Sequence, residues 1–154
     1  MAKIALADST ISETTASNHI KYEKYEQVGT GGGGNDAYGN PIPPYPIYDW
    51  VKYDTSATVK GKAVATVTNV KIQGKSPIVQ GDKTSESDTY SLPSGGSYVS
   101  GAHTSGQGSV TVGNSRNVFI NGKSVAINGS RVTTHAGGSS TINGGLSSTV
   151  NIGS

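Results

Sequence analysis

Three histidines, His19, His103 and His135, are the side chains in this 154-residue sequence best suited to chemistry. Neutral imidazole is the commonest metal ligand in proteins. Three of them, with a water, a carboxylate or another donor, make a tetrahedral or larger shell for Zn²⁺ or Fe²⁺. Their spacing says more than their number. Moving from His103 to His135, Gly106 becomes Gly138, Val110 becomes Ile142, Gly113 becomes Gly145, Val118 becomes Val150 and Ile120 becomes Ile152. The two histidines therefore hold the same place in two copies of one unit, and packing about an axis would bring them to a common point. His19 would have to come from the first unit. Three solvated histidines in polar loops are the competing reading.

Catalysis is not expected. No G-x-S-x-G elbow is present, and a serine nucleophile needs a base held by a third group. The Gly31 to Gly34 run is not followed by Gly-Lys-Ser/Thr, so it is no phosphate loop. Few acids are expected beside the histidines to serve as a general base, and the apolar fraction of 32% leaves little bulk to wall a pocket. The absence of cysteine excludes disulfides and thiolate metal sites. A net charge of +2 gives no ground for binding nucleic acid or a membrane surface. The opening Met1-Ala2-Lys3-Ile4-Ala5-Leu6-Ala7-Asp8 is too short an apolar run for a signal peptide. No run approaches the ~20 apolar residues that span a bilayer. Synthesis in the cytosol, with any export left to a dedicated machine, is the expectation.

The elements that must position the histidines are strands. Asn117-Val118-Phe119-Ile120-Asn121-Gly122-Lys123-Ser124-Val125-Ala126-Ile127-Asn128-Gly129 reads as strand, type I′ turn and return strand: apolar residues alternate and Asn-Gly accepts positive φ. Asn69-Val70-Lys71-Ile72-Gln73-Gly74-Lys75-Ser76 repeats it, and Ser148-Thr149-Val150-Asn151-Ile152-Gly153 is a third, truncated copy. No stretch has helical apolar spacing with caps; the one place for a short helix is residues 18 to 28. The fold class is all-β, in one domain over residues 1–154. Residues 57–154 hold the repeat units, and residues 20–56 are a long Gly/Pro/Tyr-rich insertion. Four consecutive glycines and the Pro41-Ile42-Pro43-Pro44-Tyr45-Pro46 segment argue there against regular structure and for polyproline II. The insertion's aromatics either fold back to cover a thin core or form a docking patch for a partner, with Tyr45, Tyr48 and Trp50 as its centre.

Together these residues resemble the PAAR and PAAR-like family of spike-tip proteins, which repeats a segment close to V-F-I-N-G-K-P-A-A-R-V-G-D. Val118 to Gly129 is the close copy, and Val70 to Asp82 a looser one ending in the family's Gly-Asp. The family ending H-G-G-x-I-x-x-G-S-x-T-V-x-I-G is similar to His135-Ala136-Gly137-Gly138 followed by Ser148-Thr149-Val150-Asn151-Ile152-Gly153. The likeness runs from the Pro-rich segment to the end. The A-A-R itself is replaced by Ser76-Pro77-Ile78-Val79 and Ser124-Val125-Ala126-Ile127, and the family's frequent Cys ligand is missing. The resemblance implies a small cone of short β-hairpins with pseudo-threefold symmetry. It implies a cap, one per trimer, on the trimeric spike of a contractile injection machine: a type VI secretion apparatus, a phage tail or an extracellular phage-tail-like particle. It also implies one metal ion, Zn or Fe, near the apex, with His135 and His103 as ligands and His19 as the third. The tip would be a monomer in isolation, would touch the target membrane transiently and would bind no nucleic acid. Two other roles stay open: an adaptor recruiting effector cargo through residues 20–56, and a trimeric β-solenoid adhesin or fibre module. With the sequence stopping at Ser154, no fused toxin is expected.

Overall fold

The structure, a computed structural model, describes residues 2–153 and, within 114–116, the backbone alone. The strands are β1 (Ala2–Ala5), β2 (Thr14–Gly31), β3 (Tyr45–Val64), β4 (Lys83–Thr89), β5 (Gly96–Ser100), β6 (Ser109–Val110), β7 (Asn114–Ile120), β8 (Lys123–Ala126), β9 (Arg131–Thr133), β10 (Ser139–Thr141) and β11 (Leu146–Ile152). The described residues contain no helix, so the all-β expectation holds. Seven strands form one antiparallel sheet in the order β10-β9-β6-β4-β3-β2-β5; β7 pairs with β8, and β1 with β11.

The Asn-Gly hairpin forms as its residue types demand. Asn121 and Gly122 take φ of 52° and 77°, and Ile120 faces Lys123 across the turn. The first copy turns identically, with Gln73 and Gly74 at 53° and 76° and a bridge from Ile72 to Lys75. The third copy is completed by the other end of the chain: Ile152 of β11 pairs with Ala2 of β1, in the place of Ile72–Lys75 and Ile120–Lys123. A second turn then follows in all three units, at Leu6–Ser9, Val79–Asp82 and Ile127–Ser130. In each, the third residue has positive φ (Asp8 69°, Gly81 93°, Gly129 87°). The fourth residue's buried side chain accepts the N–H of the first: Ser9 Oγ from Leu6 at 2.9 Å, Asp82 Oδ2 from Val79 at 3.0 Å, Ser130 Oγ from Ile127 at 2.8 Å.

These turns interlock in a ring. Ala7 N donates to Ser76 O (2.7 Å), Gln80 N to Ser124 O (2.9 Å) and Asn128 N to Lys3 O (3.0 Å), each unit bonding the next until the circle closes. The starts and turns of the three repeats also touch in sequence: the Asn69 and Asn121 amides exchange hydrogen bonds of 3.2 Å, and Gln73 bonds Ser147 and Ser148. Inside the ring the core is stacked in threes. Ala5, Ile78 and Ala126 form one layer, Ala63, Val110 and Ile142 the next, all essentially inaccessible to solvent. At one end a second cluster around Ile4, Leu6, Val67, Val79 and Val125 gathers the half-buried Val-x-Ile pair of every unit: Val70 with Ile72, Val118 with Ile120, Val150 with Ile152.

Residues 20–56 agree with expectation in part: they contain no helix, and Gly32 to Gly34 and Pro41 to Pro44 lie in the chain between strands. The departure is on either side of that loop, where β2 and β3 pair from Thr14↔Val59 to Gly31↔Tyr45 as one long hairpin. Beyond Ile20 this hairpin leaves the ring as an arm, flanked only by β5, which pairs with Lys21 to Lys24. Pro46 is tolerated in β3 because the strand has no neighbour on its outer side there; β4 pairs only with Thr58 to Val64. The glycine run has its own reason: Gly32, Gly33 and Gly34 all take positive φ at the mouth of the arm's terminal loop. Nor do the aromatics cover the core. Tyr22 alone is buried, while Tyr25, Tyr38, Tyr45, Tyr48 and Trp50 are about half exposed or more.

The completion of the third unit by the N-terminal residues predicts that Leu6→Ala, which lies in none of the repeats readable in the sequence, costs about 2–5 kcal/mol, as for any large-to-small change in a packed core. Urea unfolding measures it. A loss below about 1 kcal/mol would mean that β1 is dispensable to the ring.

Candidate metal centre

Each histidine reaches the site by a different local device. His19 lies in a bulge of β2, where the pairing jumps from Ala16↔Ala57 to Ile20↔Thr55 and Asn18 takes a positive φ of 53°. Ser56 of β3 faces that bulge. His103 follows β5 through Gly101, whose φ of 108° brings it against the His19 carbonyl so closely that an added Cβ would lie 2.1 Å from that oxygen. Ala102 N donates to Tyr98 Oη (3.2 Å), which fixes the same loop. His135 begins the turn after β9, where Thr134 N donates to Gly138 O (2.8 Å); its ring occupies the space that a side chain at Gly106 would fill.

The three rings meet, with centroids 4.8–5.6 Å apart. At their centre is a residue that reasoning from the sequence missed: Asp88, at the end of β4, its side chain inaccessible to solvent. Its Oδ2 is 2.9 Å from His19 Nε2, 3.4 Å from His103 Nδ1 and 3.3 Å from His135 Nε2, and it accepts the His103 backbone N–H at 2.9 Å. A second buried acid, Glu86, accepts the backbone N–H of His135 (2.8 Å) and faces its Nδ1 at 2.6 Å. The expectation that few acids lie near the histidines is therefore wrong. Glu86 and Asp88 stand two apart on β4, on one face of the strand, and both side chains point inward. In the sequence, Thr84-Ser85-Glu86-Ser87-Asp88 reads as an ordinary solvated edge, and the period of two was the only available sign.

The protonation pattern exposes a conflict. A His135 that gives its Nδ1 proton to Glu86 presents a lone pair at Nε2. That atom lies 3.1 Å from Asp88 Oδ1, which is buried and receives no hydrogen bond. In that tautomer two acceptors face each other out of water, and either a metal ion between them or a proton on Nε2, which His135 then donates to Asp88, relieves the contact. Nitrogens of the three histidines and an oxygen of Asp88 lie within 4.8 Å of one another and can hold a metal ion. Tetrahedral Zn²⁺ with bonds of about 2.0–2.1 Å wants them somewhat closer. His103, with half of its side chain exposed, is the member free to close the gap. Were a metal held there, Glu86 behind His135 would be the carboxylate support that fixes the ring's orientation.

All three histidines singled out from the sequence are thus brought together. The three aromatics are not: Tyr48 and Trp50 share one face of the arm with Tyr25, whose ring centroid is 5.7 and 5.4 Å from theirs, while strand alternation turns Tyr45 to the other face, against Gly31 and Gly32. Comparison with protein-family models, with characterised proteins and with solved structures gave no match.

Burial opposes a charge on Asp88, but the His103 N–H, the His19 hydrogen bond and the nearby His135 outweigh it, and its carboxyl is held below the usual 3.8. A lowered folded-state pKa adds stability that is present in full above the unfolded value and is lost as pH falls through the folded one. The metal-free protein should therefore lose stability below about pH 4, and Asp88→Asn should flatten that part of the profile. Urea unfolding at stepped pH measures both; an unchanged acid limb in Asp88→Asn would show that Asp88 is not held ionised by its neighbours.

Proposed function

We propose that this chain is a PAAR-like tip: a monomer that caps the end of a trimeric spike in a contractile injection machine and holds one metal ion, Zn²⁺ or Fe²⁺, at the end away from the spike. The observation that carries this reading is the ring of three units with its two unlike ends. One end presents the Val-x-Ile pairs of all three units, half-buried and arranged in a circle. A trimer meeting that end finds three near-equivalent strands to continue, so one chain satisfies three subunits. The other end gathers three imidazoles and a carboxylate. A structure of stacked threes needs no thick core, and a cation at the imidazoles would replace the apolar bulk a small domain lacks. The sequence likeness to the family supports the same assignment. Assembly of the particle would begin in the cytosol, and contraction would carry the tip outward against a target membrane.

A second reading is favoured by the arm. Tyr25, Tyr48 and Trp50 form an exposed aromatic cluster at 60%, 48% and 50% exposure, the composition that interfaces use. On this reading the tip is also an adaptor, with cargo docking on the arm. An intrinsic fibre or adhesin module is the contrasting case, since it would trimerise by itself.

Light scattering on the purified chain, alone and mixed with its spike, separates these readings. One chain alone and one chain per spike trimer are expected; self-trimerisation would end the tip proposal. Elemental analysis should find about one Zn or Fe per chain, and none after His103→Ala with His135→Ala. A site filled to a hundred times its Kd adds about 2.7 kcal/mol, so the double variant should also melt lower. A chelator that leaves the melting temperature unchanged would count against the ion.

A further inference from the structure

The four groups of the candidate centre divide evenly between the ring and the arm, which has a mechanical consequence. His19 is on β2 at the point where that strand leaves the ring, and His103 ends the segment following β5, a strand whose only partner is the arm. Asp88 and His135 belong instead to β4 and to the turn after β9, on the β4-β6-β9 side of the seven-stranded sheet that β2, β3 and β5 complete on the other. The two ring-side groups are held without an ion: Glu86 fixes His135 through both its backbone and its ring nitrogen, and β4 is paired along its length with β3. The two arm-side rings reach the ring-side carboxylate through one oxygen, Asp88 Oδ2, and stand 5.6 and 4.8 Å, centroid to centroid, from the His135 ring. The arm also joins the ring through the continuous β3, the bulged β2, the chain entering and leaving β5, the Tyr90–Tyr98 stack and the backbone bonds that Asp88 and Glu86 exchange with His103 and Gly106. A bulge at the root of such a ribbon breaks its ladder there and bends and twists the strand, so the direction of the arm depends on what spans the bulge.

We propose that the metal is the clasp that spans it: an ion shared by His19, His103, Asp88 and His135 locks the arm to the ring, so that metal loading decides whether the arm keeps one orientation. This rests on the metal centre of the preceding subsection and adds a role for it that a simple staple lacks. Metal bound by ring residues alone would stabilise the ring. Metal bound half by the arm orders the arm, and with it the face that carries Tyr25, Tyr48 and Trp50. The single tryptophan of the chain reports on that face directly.

Hydrogen exchange on the full chain, metal-free and with Zn²⁺ at ten times its Kd, tests the clasp. Exchange should slow by about tenfold, the factor that binding at this excess gives, at the root of the arm: residues 19–25, 50–56 and 96–103. Residues 76–82 and 124–130 of the ring should change far less. Trp50 fluorescence anisotropy should rise on the same titration. In His19→Ala, which removes the His19–Asp88 side-chain bond but none within the ring itself, added Zn²⁺ should protect the arm no longer. Bound Zn²⁺ with equal protection everywhere, or with none at the arm root, would overturn the clasp and leave the metal centre standing. No bound Zn²⁺ by elemental analysis would overturn both.

Discussion

Three backbone hydrogen bonds, Ala7 N to Ser76 O, Gln80 N to Ser124 O and Asn128 N to Lys3 O, are the constraint on which the rest is built. Each ties the second turn of one unit to the return strand of the next, and none of the units is complete without its neighbours. A lone hairpin is at best marginally stable in water. Three in a closed ring leave no unit with an unpaired side, and the return strands then present Ala5, Ile78 and Ala126 to one axis. The next layer is set by the same device: Asp8, Gly81 and Gly129 donate to Ala63, Val110 and Ile142 at 3.1, 2.8 and 2.8 Å. Small and β-branched side chains suffice because the backbones are already close. A chain with one Phe, one Trp and 22 glycines can therefore still fill a core.

The ring also explains where the site sits and why it is asymmetric. Two residues beyond the second turn the three units carry Ile11, Thr84 and Val132, and there the symmetry begins to fail, since Thr84 turns its buried hydroxyl to Glu86. Farther along, His103 and His135 stand seven residues before the paired core positions Val110 and Ile142. Seven residues before Ala63 stands Ser56, which is no ligand. The β2 bulge opposite Ser56 supplies His19 in its place. The third imidazole thus comes from the neighbouring strand, delivered by a two-residue irregularity, and the rest of that strand runs on to form the arm. Insertion and ligand are one feature of the chain.

What could be read beforehand follows from what each element depends on. The Asn121-Gly122 turn, the alternation around it and the equivalence of His103 and His135 rest on local residue types, and all were readable. The third unit was readable only in half: Ala2-Lys3-Ile4-Ala5-Leu6-Ala7-Asp8-Ser9 shares with its counterparts a positive-φ residue and a capping oxygen, but Asp8 stands where they have Gly and Ser9 where one has Asp. Its place in the ring is set by pairing with β11, almost the whole chain away. The arm was misjudged because the glycine run and the Pro-rich segment were taken to set the character of the whole of residues 20–56. Gly32 to Gly34 and Pro41 to Pro44 actually fall in the loop past the last ladder pair, and Pro46 sits on an open strand side. Asp88 was invisible for a further reason: a carboxylate between polar residues is the expected outer face of a strand, and only tertiary packing turned it inward.

The arm's aromatics then pose a physical question that the ring answers. An arm joined at one end, with exposed rings on both faces, gains from Tyr22 on Tyr53 and from Tyr25 on Tyr48 the cross-strand contacts that hold its register. Those contacts stiffen the ribbon but say nothing of its direction, which is decided at the root. There the strands reach the buried carboxylate of Asp88, whose Oδ1 faces Nε2 of His135, the ring whose Nδ1 faces Glu86. In the proposed centre one metal ion would pair Asp88 with His135 and, in the same act, join the arm's two histidines to the ring. A proton on His135 would meet the electrostatic need alone, so it is the metal ion, and not protonation, that would set the direction of the arm.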